Sequence, residues 1–424
     1  MKIVMFTNTY TPHVGGVAGS VHQLAEDLKS RDHQVMAVAP EFPDMPTDEP
    51  DVIRIPAIQN FNGSDFSVSL PAPVQLRERL DDFAPDIIHA HHPYLLGDTA
   101  LRISASRNLP LVFTHHTMYE KYTHYVPADS PLLKRFVIEL TIGYVNLCDH
   151  IIAPSQSVAG IVDERGAETE ITVIPTGVDY PKFSHGDGSD VRAEYNIPEN
   201  AFLLGHVGRL APEKNLEFLA EAECEFLQNS ETAHSLIVGD GPSVETMKII
   251  FENGGVLDRV HFTGVQKDQS LVNCYQAMDV LAFSSKSETQ GMVLAEAMAA
   301  QTPVVALDAP GARDIVRDHQ NGLLLEEENT TVFAEALDTI QNLSQAQHKE
   351  WLAKVDETAH EFSAERSVEK VETLYSTLLQ HGPYSRVVND TSWDQFLRAV
   401  QSEWDIWEKR FNAGVQSISG EETE

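Results

Sequence analysis

The segment Gly208-Arg209-Leu210-Ala211-Pro212-Glu213-Lys214-Asn215 places two cations between a short apolar run and a helical pattern. Arg209 and Lys214 are therefore expected at the carboxyl end of a strand and the start of the following helix. Two cations beside the free N–H groups of a helix start suit a diphosphate. A second segment, Glu288-Thr289-Gln290-Gly291-Met292-Val293-Leu294-Ala295-Glu296, carries two glutamates eight positions apart. That spacing is about 2.2 turns where both are helical. Glu288 falls on a strand-to-helix turn, and Glu296 falls within a helix rich in alanine (Ala295, Ala297, Ala299, Ala300). A carboxylate among apolar neighbours needs donors, and sugar or ribose hydroxyls supply them. The amides of Gln290, Gly291 and Met292 would point at phosphate.

Weaker signals surround these two. Gly15-Gly16-Val17 lets the backbone approach a ligand between the first strand and first helix. It lacks the spacing of the dinucleotide fingerprint, and a plain tight turn would look the same. Thr114-His115-His116-Thr117 and His89-Ala90-His91-His92 put histidines at strand ends. No cysteine or carboxylate completes a ligand set nearby, so they are read as lining a cleft or as structural, and no metal is expected. The sequence also contains no Asp-x-Asp, the usual carboxylate pair for a divalent ion on a sugar-bearing diphosphate; Arg209 and Lys214 can stand in for that ion. Gly239-Asp240-Gly241-Pro242 and Thr263-Gly264-Val265 end strands and fit turns that line a base, although turns alone need no function.

The elements that would hold these residues alternate. Lys2–Phe6, Val35–Ala39, Asp86–His89, Leu111–Thr114, Ile151–Ala153 and Thr172–Ile174 read as buried strands. Val17, Val21, Leu24 and Leu28 form the stripe of an amphipathic helix between the first two. The series restarts with Phe202–Val207, Ser235–Val238, Val260–Thr263, Val280–Ser284 and Val304–Leu307. The Gly/Ser/Asp content of Pro181–Asp190 reads as a linker. The expected fold is α/β: two doubly wound Rossmann-like domains facing a cleft, residues 1–183 and 184–380, with a C-terminal helical extension over 381–424. In that extension Trp393, Phe396, Leu397, Val400, Trp404, Trp407 and Phe411 recur at helical spacing. This suits a helix packing on the body, with a membrane-surface helix as the alternative.

Composition narrows the function further. The chain has 424 residues, of which 42% are apolar, an ordinary globular proportion. Against 64 Asp and Glu stand 30 Lys and Arg, a net charge of −34. Such a surface repels phosphate, which excludes a general nucleic-acid binder and docking on an anionic bilayer through a broad basic face. The acidity suits either a high-salt host or an ordinary solvated surface. No run of about 18 apolar residues occurs, so no membrane-spanning helix is expected. Met1–Phe6 is too short for a secretory apolar region and reads as a first strand. Cys148, Cys224 and Cys274 form neither a metal-spaced set nor a disulfide framework, which suits a reducing cytoplasm.

Taken together, Gly15-Gly16-Val17, Gly208-Arg209-Leu210 with Glu213-Lys214, Gly239-Asp240-Gly241-Pro242, Glu288 through Glu296, and Pro303-Val304-Val305-Ala306 resemble family-4 glycosyltransferases of the GT-B fold over roughly Met1 to Leu379. The resemblance implies a retaining, metal-independent transfer of a hexose from a nucleotide-diphosphate sugar, with no cofactor beyond that donor. It implies that Arg209 and Lys214 neutralise the diphosphate, Glu296 binds the ribose hydroxyls and Glu288 faces the transferred sugar. The Gln290, Gly291 and Met292 amides would hold sugar hydroxyls or phosphate. Gly16 would approach the diphosphate from across the cleft, and Val265 would meet the base through its backbone. His116 would lie near the 6-hydroxyl of the sugar, with His115 as the fallback. UDP-glucose is the donor the resemblance points to, ahead of GDP-mannose and UDP-N-acetylglucosamine.

Thr117 through Pro127, with Tyr119, Tyr122 and Tyr125, resembles the segment of glycosyltransferases that glucosylate diacylglycerol-type lipids. That implies a lipid acceptor and peripheral contact with the inner face of a membrane from the cytoplasm. A soluble sugar or polyol acceptor is the competing reading. Two lobes across a cleft also suit a nucleotide-sugar epimerase or a solute-binding protein. Nucleoside diphosphate release that depends on an acceptor separates a transferase from both.

Overall fold

The computed structural model describes residues 1–13, 15–58, 68–69, 74–125 and 130–382. The tryptophan-bearing segment beyond 382 and the end of the tyrosine-rich segment lie outside the described residues. The first sheet draws on β1 (Lys2–Phe6), β2 (Gln34–Pro40), β3 (Val52–Ile55), β6 (Ile87–Ala90), β7 (Leu111–Thr114), β8 (His150–Ala153) and β9 (Ile171–Val173). Its order is β3-β2-β1-β6-β7-β8-β9, parallel throughout. A short antiparallel ladder, β4 (Ala57–Ile58) with β5 (Val68–Ser69), stands apart from it.

The second sheet holds β10 (Leu203–Val207), β11 (His234–Val238), β12 (Val260–Gly264), β13 (Val280–Phe283), β14 (Val304–Leu307) and β15 (Gly322–Leu325). Their order is β12-β11-β10-β13-β14-β15, again all parallel. These are the two Rossmann-like units expected. Helices cover both faces, so the central strands are apolar on both sides and show no alternation. In each sheet the strand order reverses beside the first strand, between β1 and β6 and between β10 and β13. Ligands of doubly wound folds bind beyond the carboxyl ends of strands at that point.

Within the two large sheets, two strands escape the apolar-run reading, and both are edges. β3 alternates, turning Arg54 to the Glu49 carboxylate at 2.7 Å, and β15 begins on a glycine. The segment read as a linker is ordered into the helices Tyr180–Phe183 and Gly188–Glu194, capped by the side chains of Asp179 and Asp187. Its glycine serves contact: a Cβ on Gly188 would lie 2.5 Å from the Ala277 backbone.

The chain passes between the sheets twice, side by side. Val178 N donates to Phe362 O at 2.9 Å, and Ala364 N donates to Val178 O at 2.8 Å. The helix Ala364–His381 then returns to the first sheet. There Val368, Val371, Leu374 and Leu378 are buried against Ile3, Met5, Val21 and Leu28. Arg31 and His33 both meet Glu372, at 2.9 and 2.7 Å.

One buried acid makes a stability prediction. Glu223, on the helix Leu216–Asn229, accepts from Ser235 Oγ at 2.7 Å, while its Oε1 has no partner among the described residues. Burial pushes its carboxyl up to about 8, from an ordinary 4.5. The folded protein thus retains a proton that the unfolded chain releases. The stability contribution is full below about 4.5 and is lost as pH rises through about 8. Glu223→Gln is therefore expected to leave the thermal midpoint nearly unchanged at about pH 5 and to raise it by several degrees at about pH 9. An equal shift at both pH values would contradict this.

Candidate active site

The loop after β10 carries Arg209 and leads through the 3-10 turn Pro212–Lys214 into the helix Leu216–Asn229. Asn215 sits in the left-handed region (φ 58°), which asparagine tolerates, and turns the chain into that helix. Ser284 Oγ, at the end of β13, lies 2.9 and 3.0 Å from the carbonyls of Lys214 and Asn215 and pins the turn to the neighbouring strand. From the other side the loop is held by the turn after β11. Leu210 N donates to Asp240 O at 2.9 Å, and a Cβ on Gly239 (φ 136°) would lie only 1.9 Å from the Gly208 carbonyl oxygen. Only glycine permits this approach. Gly239 N in turn donates to Gly264 O at 2.9 Å, so the loops after β10, β11 and β12 stand abreast. Val265 follows them, 57% exposed at the rim.

Each predicted phosphate-binding cation meets a glutamate. Arg209 pairs with Glu213, and Lys214 Nζ pairs with Glu288 Oε1. The latter contact joins the two sequence segments singled out above across the switch point between β10 and β13. Gly291 caps the helix Met292–Ala299, whose start faces the same region. Further along that helix, Glu296 is partly buried and accepts from the Tyr275 hydroxyl at 2.7 Å. Burial raises its carboxyl above the ordinary 4.5, and the Tyr275 hydrogen bond partly offsets this.

The two sheets meet at the same loop. Thr289 Oγ1 donates to the His116 carbonyl at 2.8 Å, and Ser155 Oγ donates to the Thr289 carbonyl at 2.6 Å. The Gln290 side chain is spent on the crossover: it accepts from Thr176 N at 2.6 Å and donates to Thr176 O at 2.8 Å. Asp314 accepts from Gln156 N at 2.9 Å and from Ser157 Oγ at 2.5 Å. It thereby caps a first-sheet helix, Gln156–Glu164, from the second domain. The His116 backbone thus meets the loop that carries Glu288, while its ring is turned to His91, with Nε2 2.9 Å from His91 Nδ1. Gly16 begins the helix Gly16–Ser30 after β1 and is exposed.

Reasoning from sequence passed over several of these groups. Thr289, Ser155, Thr176 and Asp314 carry the contact between sheets, and ordinary polar residues in loops give no signal of that. His206, on β10, is buried, and burial lowers it to about 4, so it is neutral. Its Nδ1 donates to Ala282 O at 3.2 Å, and Lys214 and Glu288 are the charges nearest enough to act on it. Among the described residues, no group of three or more His, Cys, Asp or Glu converges as a metal-ligand set.

Two parallel, doubly wound sheets of this order, joined by a chain that crosses between them twice, make a GT-B fold. Comparison with known proteins agrees. A model described as Glycosyltransferase Family 4 matches residues 14–180, and one described as Glycosyl transferases group 1 matches residues 188–354. The alpha-monoglucosyldiacylglycerol synthase of Streptococcus pneumoniae is 28% identical over 381 residues, 88% of this chain and 85% of that protein. A GDP-mannose-dependent alpha-mannosyltransferase of Mycobacterium tuberculosis is 28% identical over 331 residues, 77% of this chain and 84% of its own length. The fold matches that of Anabaena HepE, solved in complex with UDP, with a TM-score of 0.70 at 22% identity, covering 89% of this chain and 100% of that one. The chain belongs to the family-4 glycosyltransferases, and its resemblance to the diacylglycerol glucosyltransferases holds at the level of whole-chain similarity.

Proposed function

We propose that the protein transfers glucose from UDP-glucose to a hydroxyl of a diacylglycerol or glycolipid, with retention at the anomeric carbon and without a metal. The observation that carries this reading is the junction of Lys214 with Glu288 and of Thr289 with His116. It brings Lys214, Glu288 and the backbone of His116 from the opposite domain to one loop. Arg209 and Lys214 take the diphosphate, and Glu296 accepts from the ribose hydroxyls. Glu288 and His116 face the sugar, the latter at its 6-hydroxyl. The backbone N–H groups of Gln290, Gly291 and Met292 hold phosphate or sugar oxygens; the Gln290 side chain, bound to Thr176, serves the crossover instead. Gly16 approaches the diphosphate from the first domain, and Val265 meets the uracil through its backbone.

In the reaction the bond from the anomeric carbon to the diphosphate breaks, and its electron pair stays on the phosphate oxygen. The acceptor hydroxyl oxygen bonds the same carbon from the same face and gives its proton to that phosphate oxygen. The charge that grows on the leaving group is stabilised by Arg209 and Lys214, which stand in fixed positions before the bond breaks. Electrostatic stabilisation of this kind is the strongest rate effect open to such a site. Retention is supported by the names of the relatives: α-linked products follow from donors whose sugar is itself α-linked.

A lipid acceptor is supported by the helix Pro131–Val145. Its first turns expose Leu132 (70% exposed) beside Lys134 and Arg135, a small apolar and basic patch on an otherwise acidic molecule. This patch reconciles the net charge with peripheral membrane contact, since local rather than total charge meets the headgroups. The test is UDP release from UDP-glucose with diacylglycerol in mixed anionic vesicles, with glycerol and soluble sugars in parallel. Release with the vesicles alone is expected. Release with a soluble sugar or polyol but not with vesicles would overturn the lipid acceptor, and faster release from GDP-mannose would overturn the donor.

A further inference from the structure

From the edge strand β3, Arg54 reaches across the carboxyl end of the first sheet. Its Nη1 donates to the carbonyl of Pro40, the last residue of β2, at 3.1 Å. Its Nη2 donates to the Thr11 carbonyl, in the loop after β1, at 2.7 Å. The guanidinium also meets Glu49 as a fork, Nε to Oε2 at 2.8 Å and Nη2 to Oε1 at 2.7 Å. It lies 5.7 Å from the centroid of the Tyr10 ring. The side chains of Arg54 and Glu49 are 10% and 14% exposed, so the pair is largely withdrawn from water. All three nitrogens of Arg54 donate within the fold. An ammonium, with its donors on one nitrogen, cannot span these partners.

The loop held at Thr11 leads to Gly15-Gly16. His13 N donates to Tyr10 O at 3.0 Å and closes a turn around Thr11. The His13 ring stacks on Phe42, with centroids at 5.6 Å and planes 25° apart. Gly15 stands over the same ring, since a Cβ there would lie 3.3 Å from His13 Nε2. Gly15 then caps the helix Gly16–Ser30 without a side-chain hydrogen bond. Gly16 itself is exposed, and a Cβ added to it meets nothing within 4 Å. The fold does not require a glycine at 16, so an alanine there tests what approaches from outside.

We propose that Arg54 is a positioning residue of the donor site: through Thr11 it fixes the loop that presents Gly16 to the diphosphate. It acts from the edge of the sheet and does not itself touch the donor. The proposal rests on the nucleotide-sugar reading given above.

The experiment is calorimetric titration of the full chain with UDP and with UMP, on a double-mutant cycle of Arg54→Lys and Gly16→Ala. Arg54→Lys keeps the charge beside Glu49, which a neutral residue would leave stranded. It should weaken UDP binding by roughly tenfold, the scale of one hydrogen bond to a charged group, and UMP binding by about twofold or less. Gly16→Ala should weaken UDP binding similarly. In Gly16→Ala the loop no longer makes its approach, so adding Arg54→Lys should cost little more. Glu49→Gln, which keeps the shape and weakens the fork, should act in the same direction with a smaller effect, and takes the place of Arg54→Lys in the cycle if that variant does not fold. Unchanged UDP affinity, equal losses for UDP and UMP, or additive losses in the cycle would each overturn the proposal and reduce Arg54 to a stabilising residue. Failure of the unaltered protein to bind UDP would instead sink the donor reading, and the proposal with it.

Discussion

Lys214→Ala is expected to lower kcat by roughly 10³-fold with far smaller change in donor KM, because the ammonium acts on charge that develops as the sugar leaves. The loop that holds Lys214 is fixed from both sides, by Ser284 and by the close approach of Gly239, so its charge needs no rearrangement to meet the leaving group. In the structure Lys214 is paired with Glu288, which keeps the cation from standing alone in a partly buried site. Lys214→Arg should not rescue: a planar guanidinium delivers its donors in a different geometry from an ammonium. Steady-state kinetics on a variant whose melting is unchanged checks this. Turnover within a few-fold of the unaltered protein would remove Lys214 from the reaction.

Changing Glu296 should instead weaken donor binding. Its carboxylate, raised by burial, receives one hydroxyl from Tyr275 and has capacity for the ribose hydroxyls. Two hydrogen bonds to a charged group make Glu296→Ala cost roughly 10²-fold or more in donor affinity, and Glu296→Gln roughly tenfold. The pH dependence has a definite sign. Ribose hydroxyls donate to the ionised form and favour it, so binding releases a proton from a carboxyl whose free value lies above 4.5. Affinity should fall on acidification through that raised value and be flat well above it, and Glu296→Gln should remove the dependence. Calorimetric titration with UDP across pH measures both. A pH-independent affinity in the unaltered protein would place the ribose elsewhere.

Much of the molecule is legible in its sequence alone. The central strands are readable because burial on both faces turns them into unbroken apolar runs, and the glycine, arginine, lysine and glutamate segments lie at their carboxyl ends. Edge strands such as β3 and β15 are not, because half their surface is polar or a glycine opens them. The glycines of Pro181–Asp190 suggest a linker, whereas Gly188 permits backbone contact with Ala277. Composition cannot separate these two uses of glycine. His116 is visible only through resemblance, and its contact with His91 is not visible at all. A contact spanning 25 residues between two strand ends, backed by a helix from near the end of the described chain, leaves no local pattern. The same holds for Thr289 and Asp314, which act between domains.

The proposed transfer of a hexose with retention, at a site of Lys214 and Glu288, is the reading on which the roles of the site residues depend. The direct measurement is proton NMR of the product formed from UDP-glucose and diacylglycerol, reading the coupling of its anomeric proton. A small coupling, from an α-glucoside formed only when acceptor is present and absent with Lys214→Ala, is the predicted result. A β-glucoside, or an epimerised donor formed without any acceptor, would contradict it.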